Sequence, residues 1–187
     1  MDAISQLDAI VPLLNGLVAP LDDNELLAAS TPCDSYNVGQ ILEHMVSGAT
    51  NFAAAFRGTE PVGGPTPANL VANLVAAFPI AMAELQDAMR SPGAMERTVA
   101  APFGEVPGET FARFVALDGL VHGWDIATAT SQPYDPPADV VSSVDDFARQ
   151  AIGAEMRDGD TFANATQAPA GASPIERLVA FTGRTVD

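Results

Sequence analysis

Apolar positions along this chain recur mostly at steps of three and four. Ile4, Leu7, Ile10, Val11, Leu14, Leu17 and Val18 make one stripe of an amphipathic first helix that ends before Pro20. Asp22, Asp23 and Asn24 offer caps for a short helix carrying Leu26 and Leu27, and Thr31 to Ser35 is a breaker-rich turn. Asn37 suits the N-cap of the next helix. Its Val38, Ile41, Leu42, Met45, Ala49, Phe52, Ala53 and Phe56 keep the helical period as far as Gly58. A Gly/Pro loop follows from Gly58 to Pro67. The period resumes with Leu70, Leu74, Val75, Phe78, Met82, Leu85 and Met89, and Pro79 inside that run predicts a kink.

The pattern changes between Ser91 and Gly108. Arg97-Thr98-Val99 and Phe103 to Val106, set among glycines and prolines, predict a short hairpin or an extended loop. A long helix is expected from about Glu109 to Thr130 and another from about Pro137 to Met156. A loop follows from Arg157 to Ser173. Pro174 then opens a final short helix that Gly183 stops. Strands are too few for a βαβ sheet. The fold class is all-α, an up-down four-helix bundle with extra C-terminal helices and the one candidate β-hairpin. Residues 1–187 are expected to form one domain, with about 157–187 as an extension on the same core.

Composition narrows the partners. Acids outnumber bases 24 to 8, the net charge is −16, and every base is an arginine. Such a surface repels nucleic-acid phosphates and anionic lipid, so neither nucleic acid nor membrane is an expected partner. Cys33 is the one cysteine, which excludes an internal disulfide and a cysteine-based zinc cluster. No apolar run approaches the length of a membrane span, and the first residues lack a basic leader, so a cytoplasmic protein is expected. Monomer and homodimer are both open.

The candidate chemistry lies with two histidines, His44 and His122. On the Glu109–Thr130 helix, Asp118 and His122 stand four apart, one turn above the other, among Phe111, Phe114, Val115, Ile126 and Ala129. An unpaired ionised carboxylate in such a stripe costs several kcal/mol, so Asp118 needs a partner. Asp-x-x-x-His on one face is a chelating arrangement; a plain Asp–His hydrogen bond is the alternative. His44 sits at the edge of its own helix's stripe, with Gly48 one turn on clearing space beside the imidazole. Two histidines and one carboxylate from facing helices would leave open positions on a divalent ion. Asp125, on the Asp118 stripe, is expected to support His122 or to pair with an arginine. Cys33 reads as packing in a turn before it reads as a nucleophile, and Trp124 as core. Gly119 and Gly123 should admit a close neighbour.

Taken together, Thr31-Pro32-Cys33, Leu42-Glu43-His44-Met45-Val46, Phe103-Gly104, Val121-His122-Gly123-Trp124-Asp125 and the ending Arg177 to Arg184 resemble the DinB-like bundle superfamily. More narrowly, they resemble the metal-binding domain of mycothiol-dependent maleylpyruvate isomerase and its short relatives in high-GC Gram-positive bacteria. The resemblance implies a divalent ion on His44, Asp118 and His122. Zinc comes first and nickel or manganese are alternatives, with mycothiol as cosubstrate. Asp118 stands where the family more often has the longer Glu, and Tyr36 where it often has Trp. The isomerase also carries an extra C-terminal domain, so maleylpyruvate isomerisation itself is not expected here. The implied function is a metal-dependent thiol S-transferase or isomerase, with a small-molecule thiol and an electrophile as partners. The alternative is a non-catalytic metal-binding or structural bundle.

Overall fold

The computed structural model describes residues 1–21, 23–59, 73–101, 104–157, 159 and 161–186. Four helices make the bundle: α1 (Ala3–Val18), α3 (Val38–Arg57), α4 (Leu74–Met89) and α5 (Gly108–Thr130). A single turn, α2 (Asn24–Leu27), lies between the first two, and α6 (Ala138–Ala151) and α7 (Pro174–Phe181) follow the bundle. Among the described residues the sheet is one antiparallel hairpin, β1 (Thr98–Ala101) on β2 (Gly104–Pro107), in the register Val99↔Val106. The expected caps at Asp22, the loop beyond Thr59, the start at Leu70 and Phe103 lie outside the described residues.

Side-chain caps set most helix starts. Asn37 accepts from the Gln40 amide while Gln40 accepts from the Asn37 amide, so two otherwise orphaned donors are satisfied at the start of α3. Gly58 ends that helix in the left-handed region at φ 69°. Ser173 and Glu176 form the same reciprocal box on α7. The start of α5 has no side-chain cap; backbone carbonyls of the turn before β1 take its first donors instead, the Gly108 amide donating to Arg97 O and the Glu109 amide to Met95 O. Gly108 is required there, because a Cβ would fall 2.0 Å from Ala94 O.

The bundle is a ring in which α1 meets α4 and α5, and α3 meets the same two from the opposite side. Ile10, Leu14, Ile41, Leu42, Phe78, Leu85 and Leu120 fill its axis, all fully buried. Burial of a side chain of this kind stabilises by about 1.5–3 kcal/mol, against its ordering entropy. Helix α6 packs on α5, and α7 closes over both. The expected helix to Met156 stops at Ala151. Ile152 turns extended (φ −87°, ψ 95°), and Gly153 makes room for the Glu155 carboxylate before a 3₁₀ turn at Ala154–Met156. Gly48 also departs from expectation, since the space it leaves is taken by the Phe52 ring and not by an imidazole.

Candidate metal centre

His44 reaches the site from α3, and Asp118 and His122 come from α5. The four-residue step places Asp118 and His122 one above the other, facing His44 across the bundle. His44 Nε2 lies 3.3 Å from Asp118 Oδ1, and His122 Nε2 lies 3.4 Å from the same oxygen. One ligating atom from each residue falls within 4.8 Å of the others. All three sequence-predicted residues therefore converge.

The lengths carry information. A charge-assisted hydrogen bond between imidazole and carboxylate is expected near 2.7–2.9 Å, and both contacts are longer. Two ligands held at about 2.0–2.1 Å from one ion at the tetrahedral angle lie about 3.3–3.4 Å apart. Two edges of the triangle thus match the spacing of donors around one ion. His122 Nδ1 lies 3.0 Å from Asp125 Oδ2, a contact in which the ring N–H donates to the carboxylate. His122 Nε2 is thereby turned toward the Asp118 carboxylate, where a cation, a proton on the ring or a metal ion, joins the two.

Asp125 does both things expected of it. It is completely buried, and it also accepts from Arg184 Nη2 at 2.9 Å and Nε at 3.3 Å. Arg184 arrives from the far end of the chain. Gly183, at φ 105°, turns the backbone after α7, and the Arg184 amide donates back to Val179 O at 3.0 Å. A Cβ on Gly183 would lie 2.6 Å from Ala163 Cβ, so the turn needs glycine in space as well as in angle. Arg184 was not singled out in the sequence, because 59 residues separate it from Asp125 and no periodic signal crosses that gap.

Asp118 and His44 are partly exposed, whereas His122 is 6% exposed. Burial works against the ionised Asp118, but the His122 and His44 rings outweigh it and hold the carboxyl below its ordinary value. The hydrogen bond to Asp118 holds the His44 imidazole above its ordinary value, with partial burial opposing.

A cleft of about 430 Å³ opens onto all three side chains. The Thr31–Tyr36 turn forms one lip. Thr31 Oγ1 accepts from the Cys33 amide and donates to Tyr36 O, which fixes the turn. Tyr36 then stacks on His44 (centroids 5.6 Å apart, 22° between planes) and meets His122 edge-on at 6.3 Å. Cys33 lines the cleft half-buried, and burial pushes its thiol above the ordinary value despite Arg184 nearby. A thiol raised in this way is a weaker nucleophile, which agrees with reading Cys33 as packing. Trp124 is half-buried against the core. No helix among the described residues is long and apolar enough to cross a membrane.

Two imidazoles and a carboxylate beneath a cleft in an up-down bundle define a helical-bundle protein with a candidate metal centre. The chain belongs to the mycothiol maleylpyruvate isomerase N-terminal domain family, whose pattern matches residues 7–127. The uncharacterised proteins Rv0738 and MT0763 of Mycobacterium tuberculosis are each 33% identical over 180 residues, 96% of this chain and 93% of theirs. Among solved structures, the crystal structure of the mycothiol-dependent maleylpyruvate isomerase aligns with a TM-score of 0.54 at 15% identity, over 81% of this chain and 72% of that one. At that identity the likeness speaks for a shared DinB-like fold.

Proposed function

We propose that this protein is a divalent-metal-dependent thiol S-transferase or isomerase that uses a mycothiol-type thiol. The observation that carries the reading is the sharing of Asp118 Oδ1 by two imidazole nitrogens, at 3.3 and 3.4 Å, on the floor of an open cleft. Family membership supports mycothiol as the thiol.

In this reading His44, Asp118 and His122 hold the ion through two nitrogens and one oxygen, a donor set that suits zinc first and also nickel or manganese. When bound, such an ion lowers the pKa of a thiol that reaches it, so that the thiolate is available near neutral pH. Asp125 fixes the His122 tautomer and ring direction, and Arg184 holds Asp125 in place through two hydrogen bonds. Tyr36 limits the swing of His44 by stacking on it. Phe52, Phe111, Phe114 and Phe162 also line the cleft and keep water from the reacting carbon.

The test is elemental mass spectrometry on purified untagged protein, beside a His122→Ala variant. Near one equivalent of a divalent metal, lost in the variant, is expected; thioether formation from mycothiol should then follow metal content. Absence of metal after incubation with zinc, nickel and manganese would sink the catalytic reading. It would leave a bundle whose Asp–His cluster is structural.

A further inference from the structure

The walls of the cleft indicate what kind of electrophile it admits. Phe52 and Phe111 meet edge-on at 4.8 Å, and Phe114 is braced against Phe147 at 5.0 Å. Phe52, Phe111, Phe114, Val115, Val121 and Phe162 supply the large apolar lining of the cleft. Phe52 comes from α3, Phe111, Phe114, Val115 and Val121 from α5, and Phe162 from the segment before α7; the aromatic contacts hold the helical part of this surface, so that part is preformed.

Positive charge is scarce in the same space. The chain has eight arginines and no lysine, and each arginine is already engaged. Arg184 is the cationic side chain at the cleft, and it spends two of its donors on the buried Asp125 carboxylate. With Asp34 and Asp118 also lining the cleft, a divalent ion brings the site to neutrality and leaves no surplus of positive charge. The overall charge of −16 adds a repulsive field for anions. A dicarboxylate would lose the hydration of two charges here and find no free cationic side chain in return.

We propose that the electrophile taken by this cleft is uncharged and apolar, of the size of an aryl- or alkyl-substituted epoxide, and is not a dicarboxylate. The inference rests on the thiol-transfer reading for its chemistry, and on the wall and the arginine inventory for its selectivity. In the step, the thiol proton goes to solvent and the sulfur forms a C–S bond at one epoxide carbon. The C–O bond breaks with its electron pair on oxygen, and that oxygen takes a proton from water. The sum is addition of a thiol across the ring to give a hydroxy thioether, with no further reactant.

The experiment has a binding arm and a turnover arm. Binding is read by saturation-transfer NMR with benzyl alcohol and with maleate, on zinc-loaded and on EDTA-treated protein. Benzyl alcohol is expected to bind in both states, and at least tenfold tighter than maleate in each. Phe114→Ala and, separately, Phe162→Ala are expected to weaken benzyl alcohol at least threefold with the thermal melt and metal content retained. Maleate binding as tight as benzyl alcohol in either state, or no benzyl alcohol binding at all, overturns the proposal. Turnover is read with zinc-loaded protein, mycothiol and styrene oxide. Thioether product confirms both readings. Benzyl alcohol binding without product keeps the apolar site and rejects thiol transfer.

Discussion

The two sides of α5 are built to opposite ends. On one side Gly119 and Gly123 remove side chains so that neighbours can close in. A Cβ on Gly119 would lie 3.2 Å from Ile10 Cγ2, and one on Gly123 would lie 2.6 Å from the Tyr134 hydroxyl and 3.0 Å from Leu14 Cδ2. Tyr134 completes that side by donating to Leu120 O, and burial pushes its phenol well above the ordinary value. On the other side Phe114, Asp118 and His122 project into 430 Å³ of open space. One side spends its residues on density; the other keeps polar groups apart at distances that suit an ion. The difference teaches that this helix is positioned by its closed side, so that the open side need not contribute to stability.

The largest effect is expected at the buried charge behind the open side. Asp125→Ala leaves Arg184 without its carboxylate and frees the His122 ring. Breaking a buried pair by removing one partner costs about 3–5 kcal/mol, to be read from urea unfolding of the metal-free protein. A loss under about 1 kcal/mol would show that Arg184 finds solvent easily and that Asp125 serves only the site. Next in size is Gly123→Val. Its methyl groups must displace Tyr134 or part α5 from α1, so about 1–3 kcal/mol should be lost. An unchanged melt would remove the basis for calling that side closed.

Legibility in the sequence follows the same division. The bundle helices were readable because their apolar residues keep the helical period; α5 buries more than one face, with Phe111 and Ile126 on one side and Leu117 and Leu120 on the other. Asp118 and His122 were readable because polar residues at helical spacing interrupt an apolar stripe. The link from His44 to Asp118 was implied by family resemblance, since 74 residues lie between them and periodicity carries no inter-helix distance. The aromatic wall was visible only as core: Phe52, Phe111 and Phe114 have the spacing of buried residues, and nothing in a helical period says that a cavity opens beside them. The end of α6 at Ala151 depended on Gly153 and on the Glu155 carboxylate folding back beside it, a local competition that apolar spacing does not register.

A smaller effect on stability is expected on the open side. Asp118→Ala removes two contacts of 3.3 and 3.4 Å at a partly exposed position, so the metal-free protein should change by about 1 kcal/mol or less. The same variant should lose its metal equivalent by elemental analysis. Stability falling as far as in Asp125→Ala would mean that Asp118 is part of the scaffold, and the contrast between the two sides would collapse.

The smallest expected effect is a dependence on pH whose sign differs between the two forms of the protein. The His44 imidazole is held above its ordinary value by the Asp118 carboxylate. In the metal-free protein this pairing stabilises fully below the unfolded-state value and is lost as pH rises through the raised folded-state value. Metal binding needs the unprotonated ring, so a protonated ligating histidine weakens affinity by about tenfold for each unit the pH falls. Loading should therefore raise Tm little near pH 5.5 and progressively more toward pH 8. Asp118→Asn, which removes the cause of the raised value, should move the His44 NMR titration back down in the metal-free protein. A Tm difference between loaded and metal-free protein that stays constant from pH 5.5 to 8 would place the ion away from His44, and with it the open side of α5 would lose its one argument for facing α3.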